Sequence, residues 1–317
     1  MSKKPLILGI ETSCDETAAS LITENSEGMP VVLSNIISSQ VETHKEFGGV
    51  VPELAARSHI EKIDWIVKQA INKSGRDIEE IDAVASTAGP GLIACLSVGL
   101  SFGKAFAATI NKPFIAVNHL EGHALSPKLN SKINYPYLLL LISGGHSQYL
   151  SVQNLGKYKR LGTTIDDALG EAFDKTAKLL GIEFPGGPYL EIFAKKGDPN
   201  KYDLPKPILN KGGCNLSFAG LKTAILKISK TINTQQEKFD LAASFQKTIE
   251  EILYKKTKIA FNQFEKLSNP QEKIFVIAGG VAANKKIRSL LINLCKENNY
   301  KSVFPEIELC GDNAAMI

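Results

Sequence analysis

Apolar positions along this chain fall into two patterns. Short runs read as buried strands, and longer stretches recur with a period near 3.6. Leu6–Ile10, Ala18–Thr23 and Val31–Ser39 read as three strands. Leu54, Ile60, Ile63, Ile66, Val67, Ala70 and Ile71 then recur at helical spacing across Pro52–Ser74. Ile81–Ser86 is another strand, a turn at Ala88-Gly-Pro-Gly-Leu92 leads into a helix through Ile110, and Phe114–Asn118 is a strand again. Pro127–Pro136 is polar and reads as a linker, after which the pattern restarts. Tyr137–Ile142 and Gln148–Val152 are strands around a Ser143-Gly-Gly145 turn, and Ile165–Gly181 is helical. Phe184–Gly220 is rich in Pro and Gly and poorly periodic. A long helix over about Phe239–Leu267, a strand at Lys273–Ala278, a double glycine and a helix to Lys296 complete the pattern. The alternation predicts an α/β protein. At 317 residues it predicts two domains, residues 1–130 and 131–317.

One internal echo bears on function. Leu6–Ser13 with Ala18–Thr23, and Leu138–Gly145 with Ser147–Val152, are both strand, small polar turn, strand. Such turns let a backbone approach phosphate and offer N–H donors, although Gly and Ser also simply make hairpins. Two of them suit a nucleotide or phosphorylated ligand.

Composition narrows this only a little. Apolar residues make up 44% and charged residues 22%, ordinary for a globular protein. The net charge of +4 permits a nucleic-acid partner without requiring one. Only Arg57, Arg76, Arg160 and Arg288 are arginines, so phosphate contacts would fall mostly to lysine. Cys14, Cys95, Cys214, Cys295 and Cys310 are scattered, without a CxxC, which predicts free thiols in a reducing compartment. The apolar run at Leu6–Ile10 is too short for a signal sequence, and no stretch reaches membrane-span length. The expected location is the cytoplasm.

Several motifs could carry chemistry. His119 and His123 lie four apart in HLEGH, which on a helix puts both rings on one face, where they could share a metal. The motif is similar to the zincin HExxH, but Glu121 is third instead of second, which counts against a metalloprotease. A third ligand must come from far along the chain, and Asp312 is the best candidate. The Ser143-Gly-Gly145 turn and the Gly-Gly before Asn284 could each hold an anion or ribose through backbone N–H groups. Neither is a GxGxxG fingerprint. Asp167, Glu171 and Asp174 fall on one helical flank, either as a solvated acidic face or, at Asp174, as a ribose contact. Lysine-rich stretches such as Lys222–Lys230 are solvated faces or a weak phosphate-backbone platform.

Taken in order, GIETSCDETAAS (9–20), GGVVPELAARSHIEKI (48–63), TAGPGLIACLSVGLSFGKA (87–105), NHLEGHALSP (118–127), LLLISGGHSQ (139–148), IDDALGEAFDKTAKLLGIEFPGGP (165–188), SFAGLKTA (217–224), AGGVAANKKIR (278–288) and CGDNAAMI (310–317) resemble the universal tRNA threonylcarbamoyltransferase family. The resemblance is to its bacterial TsaD branch, formerly labelled O-sialoglycoprotein endopeptidase, and covers essentially the whole chain. It implies an actin-like ATPase (ASKHA) fold of two ribonuclease-H-like lobes around a central cleft. It implies transfer of a threonylcarbamoyl group from threonylcarbamoyl-AMP to N6 of adenosine 37, in tRNAs reading ANN codons. It further implies one divalent metal, iron or zinc, on His119, His123 and Asp312, and an adenylate site at Leu141, Ile142, Ser143, Gly144, Gly145, Asp174, Gly187 and Asn284. Glu191 stands where some relatives carry Asp as a further substrate contact. The reaction uses an activated mixed anhydride and needs no protein nucleophile; Glu11 and Asp15 in the first turn are the acid/base candidates. The implied partners are a TsaB-type paralogue, a TsaE-type ATPase and a TsaC-type enzyme that supplies the intermediate. Family members continue past Ile317 with a helix, so a final helix is expected to be missing here.

Overall fold

The computed structural model describes residues Lys4–Ile317. Among these, ten strands and nine α-helices divide between two units, 1–132 with 305–317, and 133–304. The split after Lys132 falls inside the polar segment read as a linker. The segment 305–317 differs from the expectation: it belongs with the first unit, not the second.

The first unit contains β1 (Ile7–Glu11), β2 (Glu16–Glu24), β3 (Pro30–Ser39), α1 (Val41–Lys45), α2 (Pro52–Ser74), β4 (Ala83–Gly89), α3 (Ile93–Thr109), β5 (Phe114–Asn118) and α4 (His119–Leu125). Its sheet runs β3-β2-β1-β4-β5, with β1–β3 antiparallel and β4 and β5 parallel to β1. Side chains alternate across a strand. On β1, Leu8 and Ile10 join the cluster formed with Ile63, Ile66, Val67 and Ala70 of α2. Gly9 and Glu11 therefore point to the other face. Pro52 opens α2 at a position where its missing N–H costs nothing, and Gly75 closes it in the left-handed region at φ 66°.

The second unit contains β6 (Tyr137–Ile142), β7 (Ser147–Asn154), β8 (Lys157–Thr163), α5 (Leu169–Leu179), α6 (Gly186–Ala194), α7 (Ala219–Ser229), α8 (Gln235–Ser268), β9 (Ile274–Ala278), α9 (Lys285–Glu297) and β10 (Lys301–Val303). Its sheet order, β10-β9-β6-β7-β8, repeats the first with the same strand directions. The β1–β2 and β6–β7 hairpins thus occupy the same place in each sheet. β6 and β9 are buried on both faces, as continuous apolar runs require. Thr234 and Glu237 form a capping box that starts α8 four residues before the apolar period becomes visible.

Candidate metal centre and glycine turns

The first unit gathers the histidine pair. Asn118 ends β5 and caps α4, its Oδ1 accepting from the N–H groups of Leu120 and Glu121. The i, i+4 spacing then stacks His119 and His123 on one face, ring centroids 4.7 Å apart and edge-on. Asp312 reaches them on a segment shaped by Asn313, which is fully buried. The Asn313 amide donates to the Leu309 and Gly311 carbonyls, and its Oδ1 accepts from Met316 N–H. Glycine gives this segment room to pass: a Cβ on Gly122 would lie 3.0 Å from the Met316 carbonyl oxygen, a tight contact. A Cβ on Gly9 would collide with the Ala314 carbonyl.

Asp312 Oδ1 lies 3.0 Å from His123 Nε2 and 3.6 Å from His119 Nε2. One ligand atom from each residue lies within 4.8 Å of the others. Ligands about 2.1 Å from a tetrahedral ion are roughly 3.4 Å apart, so two imidazole nitrogens and a carboxylate oxygen at these separations fit a divalent metal. The two rings are held unequally. His119 Nδ1 lies 3.3 Å from Ser13 Oγ and 3.4 Å from Glu11 Oε2. His123 Nδ1 is buried with no hydrogen-bond partner. Burial opposes a charge on His119, but Glu11 and Asp312 outweigh it and raise the imidazole from 6.5 to about 9.

The two acid/base candidates have different surroundings. Glu11 is fully buried, its Oε1 accepting from Ser13 N–H at 2.5 Å and its Oε2 from the Thr87 hydroxyl. Asp15 is half-buried in the β1–β2 turn, beside the Glu16 carboxyl and the Cys14 thiol. Burial first, then Asp15 and Asp312, push Glu16 well above the carboxylate range. The turn is braced from α2: His59 Nε2 donates to the Cys14 carbonyl at 3.0 Å, while Thr17 Oγ1 lies 2.8 Å from its Nδ1. Desolvation lowers His59, consistent with a neutral ring. All five cysteines are free, and burial pushes Cys95 and Cys214 up to about 11 and Cys295 to about 12, so none of these three is an activated thiol.

The second unit holds the remaining candidates. Leu141 and Ile142 are fully buried in β6, so only their backbone could meet a ligand. Gly144 and Gly145 are exposed, and a Cβ on either would meet nothing within 4 Å. The turn is closed by Ser143 N–H donating to the His146 carbonyl at 2.8 Å, and α5 is pinned to it by Gly170 N–H donating to the Ser143 carbonyl at 3.1 Å. Asp174 Oδ1 accepts from Gly186 N–H at 2.9 Å, fixing the start of α6, where Gly187 has open space at its Cα. Asn284 caps α9 with Oδ1 and donates through Nδ2 to Gln246 Oε1 at 3.0 Å. Gln246 in turn donates to Glu250 at 3.1 Å. Glu191 Oε2 accepts from Lys285 N–H at 3.3 Å, while its Oε1 is buried without a hydrogen bond.

Two local expectations change. The double glycine does not open α9 directly: Gly280–Ala283 forms a 3-10 turn first, because Asn284 is the cap. The acidic residues do not all share one helical flank. Asp167 precedes α5 and pairs with Lys222 at 2.6 Å, and Glu171 pairs with Lys175. Asp166 accepts from Ser217 Oγ and Phe218 N–H at 2.5 and 2.7 Å, so the IDDALG and SFAGLK motifs hold each other. Sequence reasoning passed over Ser13, Thr87, Asn313 and Gln246. The only local signal is their place beside singled-out residues, with Thr87 just before the Ala88–Leu92 turn, and for Gln246 there is none.

The sequence model of the TsaD family, described as tRNA N6-adenosine threonylcarbamoyltransferase, matches residues 31–317. A Pelagibacter ubique protein named tRNA N6-adenosine threonylcarbamoyltransferase is 76% identical over 317 residues, 100% of this chain and 89% of that one. A protein of the same name from Rickettsia conorii is 53% identical, over 98% of this chain and 90% of that one. Among solved structures, full-length HypF in a phosphate- and nucleotide-bound form is 14% identical with a TM-score of 0.59, over 100% of this chain and 46% of that one. The activator of 2-hydroxyisocaproyl-CoA dehydratase from Clostridium difficile is 14% identical with a TM-score of 0.50, over 95% of this chain and 89% of that one. These distant likenesses speak to architecture alone, and the architecture is the actin-like ATPase fold. The chain belongs to the tRNA N6-adenosine threonylcarbamoyltransferase family, and is a transferase that modifies tRNA.

Proposed function

We propose that the chain moves a threonylcarbamoyl group from threonylcarbamoyl-AMP to N6 of adenosine 37 in tRNAs reading ANN codons. The observation that carries this is the meeting of His119, His123 and Asp312, drawn from positions up to 193 residues apart, in a member of this family. A divalent metal held by these three, iron or zinc, would supply Lewis-acid polarisation of the acyl carbonyl or neutralise the phosphate.

The chain's own residues do the rest by positioning. The exposed backbone of Gly144 and Gly145, continuing from Leu141, Ile142 and Ser143, offers N–H donors to the AMP leaving group. Asp174, Gly187 and Asn284 contact its nucleoside part. Glu191, on α6 and bonded to the start of α9, supports them with a side chain one carbon longer than the Asp of some relatives. Asp15 takes the proton that leaves the exocyclic amine; Glu11, with both oxygens engaged, has another role. Aligning two large substrates lowers the barrier by roughly 7–11 kcal/mol when the fit is good.

Mildly basic charge suits tRNA binding shared with partners: a TsaB-type paralogue as heterodimer, a TsaE-type ATPase, and a TsaC-type enzyme that supplies the intermediate. Among the described residues no helix is long and apolar enough to cross a membrane. The free thiols suit the cytoplasm.

The test is reconstitution with threonylcarbamoyl-AMP, tRNA and the partners, scoring modified adenosine by nucleoside mass spectrometry. Wild type should form it and His119→Ala should lose it. The reading fails if neither forms it, or if the two behave alike.

A further inference from the structure

We infer that Glu11 is a positioning residue of the metal centre, fixing the tautomer and orientation of His119 through its Nδ1. This rests on the metal reading above. Both directed hydrogen bonds of the Glu11 side chain are acceptances, Ser13 N–H into Oε1 and the Thr87 hydroxyl into Oε2, and His119 Nδ1 lies 3.4 Å from Oε2. A fully enclosed carboxylate with both oxygens engaged is poorly placed to exchange a proton with a substrate amine. It is well placed to act on an imidazole. Because a carboxylate offers only lone pairs here, the proton of a neutral His119 goes to Nδ1. That leaves the Nε2 lone pair on the side where Asp312 Oδ1 lies 3.6 Å away.

The backbone enforces the arrangement. Glu11 is the last residue of β1, on the face away from Leu8 and Ile10, and Thr87 on neighbouring β4 holds its second oxygen. The sheet therefore carries the orienting group, and α4 carries the ligand. His123 has no such support, since its Nδ1 is buried and unpartnered. Of the two imidazoles, His119 is the one whose ring is set before a metal arrives. Carboxylates behind metal-binding histidines typically change affinity by 10–100-fold when removed.

Glu11→Gln is the informative change. The amide keeps the shape, and its oxygen can still accept from Ser13 N–H. Its NH2 then faces Thr87 and His119, and a donor there favours the proton on Nε2, the wrong nitrogen. Metal-free protein is titrated with zinc against a chromogenic chelator, and melting of the metal-free form is followed in parallel. Zinc affinity should fall about 10–100-fold in Glu11→Gln. It should fall less in Ser13→Ala, which removes only a neutral partner of the same nitrogen. Independently of any variant, 15N-histidine-labelled wild type loaded with zinc should show His119 protonated at Nδ1 and metal-bound at Nε2.

Wild-type zinc affinity in Glu11→Gln overturns the inference, as does zinc on His119 Nδ1 in the labelled protein. A lower kcat with unchanged zinc affinity also overturns it, and returns Glu11 to acid/base work. Should Glu11→Gln not fold, the labelled wild type still decides. If wild type itself binds no zinc, the metal reading falls and this inference falls with it.

Discussion

Gly170→Ala tests whether the second unit's glycine turn is held in place by α5. A Cβ at residue 170 would lie 2.7 Å from the Ser143 carbonyl oxygen, 2.8 Å from Gly144 Cα and 2.9 Å from Gly144 N. All three are backbone atoms, so no rotamer can relieve the contact. Ordinary contact begins at 3.4 Å. The turn or the helix must therefore shift by about 0.7 Å, beyond the roughly 0.5 Å that a preorganised site tolerates. Overpacking of this kind costs about 1–3 kcal/mol, offset by at most about 1 kcal/mol of helix propensity gained over glycine. A net loss of about 1–2 kcal/mol lowers the melting temperature by about 2–8 °C in a unit of this size. Calorimetric melting gives the stability term, and titration with AMP gives the binding term. AMP affinity should fall while zinc affinity, which belongs to the other unit, stays unchanged. Unchanged melting together with unchanged AMP affinity would refute the reasoning, because the turn would then have room that the packing against α5 denies it.

Three further expectations follow from the same geometry. Asn118→Ala removes the cap of a seven-residue helix and should cost about 1 kcal/mol in melting, with weaker zinc binding because His119 is the next residue. Gln246→Leu leaves the buried Asn284 Nδ2 without its acceptor and should cost about 1–3 kcal/mol, read by chemical denaturation. Asp167 is held below its ordinary 3.8 chiefly by its hydrogen bond to Lys222, with Lys175 adding to it. The unfolded chain then binds more protons in that range, so this stabilisation is present above about pH 3.8 and lost as pH falls further. An acid-unfolding series should show that loss shrink in Lys222→Met.

Sequence revealed most where one short pattern fixes one environment. β6 and β9 read as strands because each is apolar on both faces, and the histidine pair read as a shared face because four residues make one turn. Elements set by tertiary contacts were harder to read. β8 is an edge strand, KYKRLGT, whose lysines and arginine guard an open edge and hide its strand character. α6 begins Gly-Gly-Pro, residues that argue against a helix except in its first turn. The period read from Ile165 begins helically only at Leu169, because Asp166 and Asp167 turn outward to Ser217, Phe218 and Lys222. For the site, the ligands were legible and their supports were not. Thr87, Gln246 and Asn313 act through residues distant in sequence or through a single buried turn.

The return of residues 305–317 to the first unit has a consequence for how the protein is made. His123 and Asp312 are 189 positions apart, with the whole second unit encoded between them. A ribosome adding about 5–20 residues per second needs about 10–40 s to bridge that interval. Toward its end the second unit has all its own strands and helices to hand, while the first still lacks the segment that presents Asp312. Loading of a metal on all three proposed ligands would thus be a late event in the life of a new chain. An ion captured on all three ligands would report that synthesis has passed residue 312 and that the segment 305–317 has found its seat. A chain halted earlier can offer the histidine pair but never the full set.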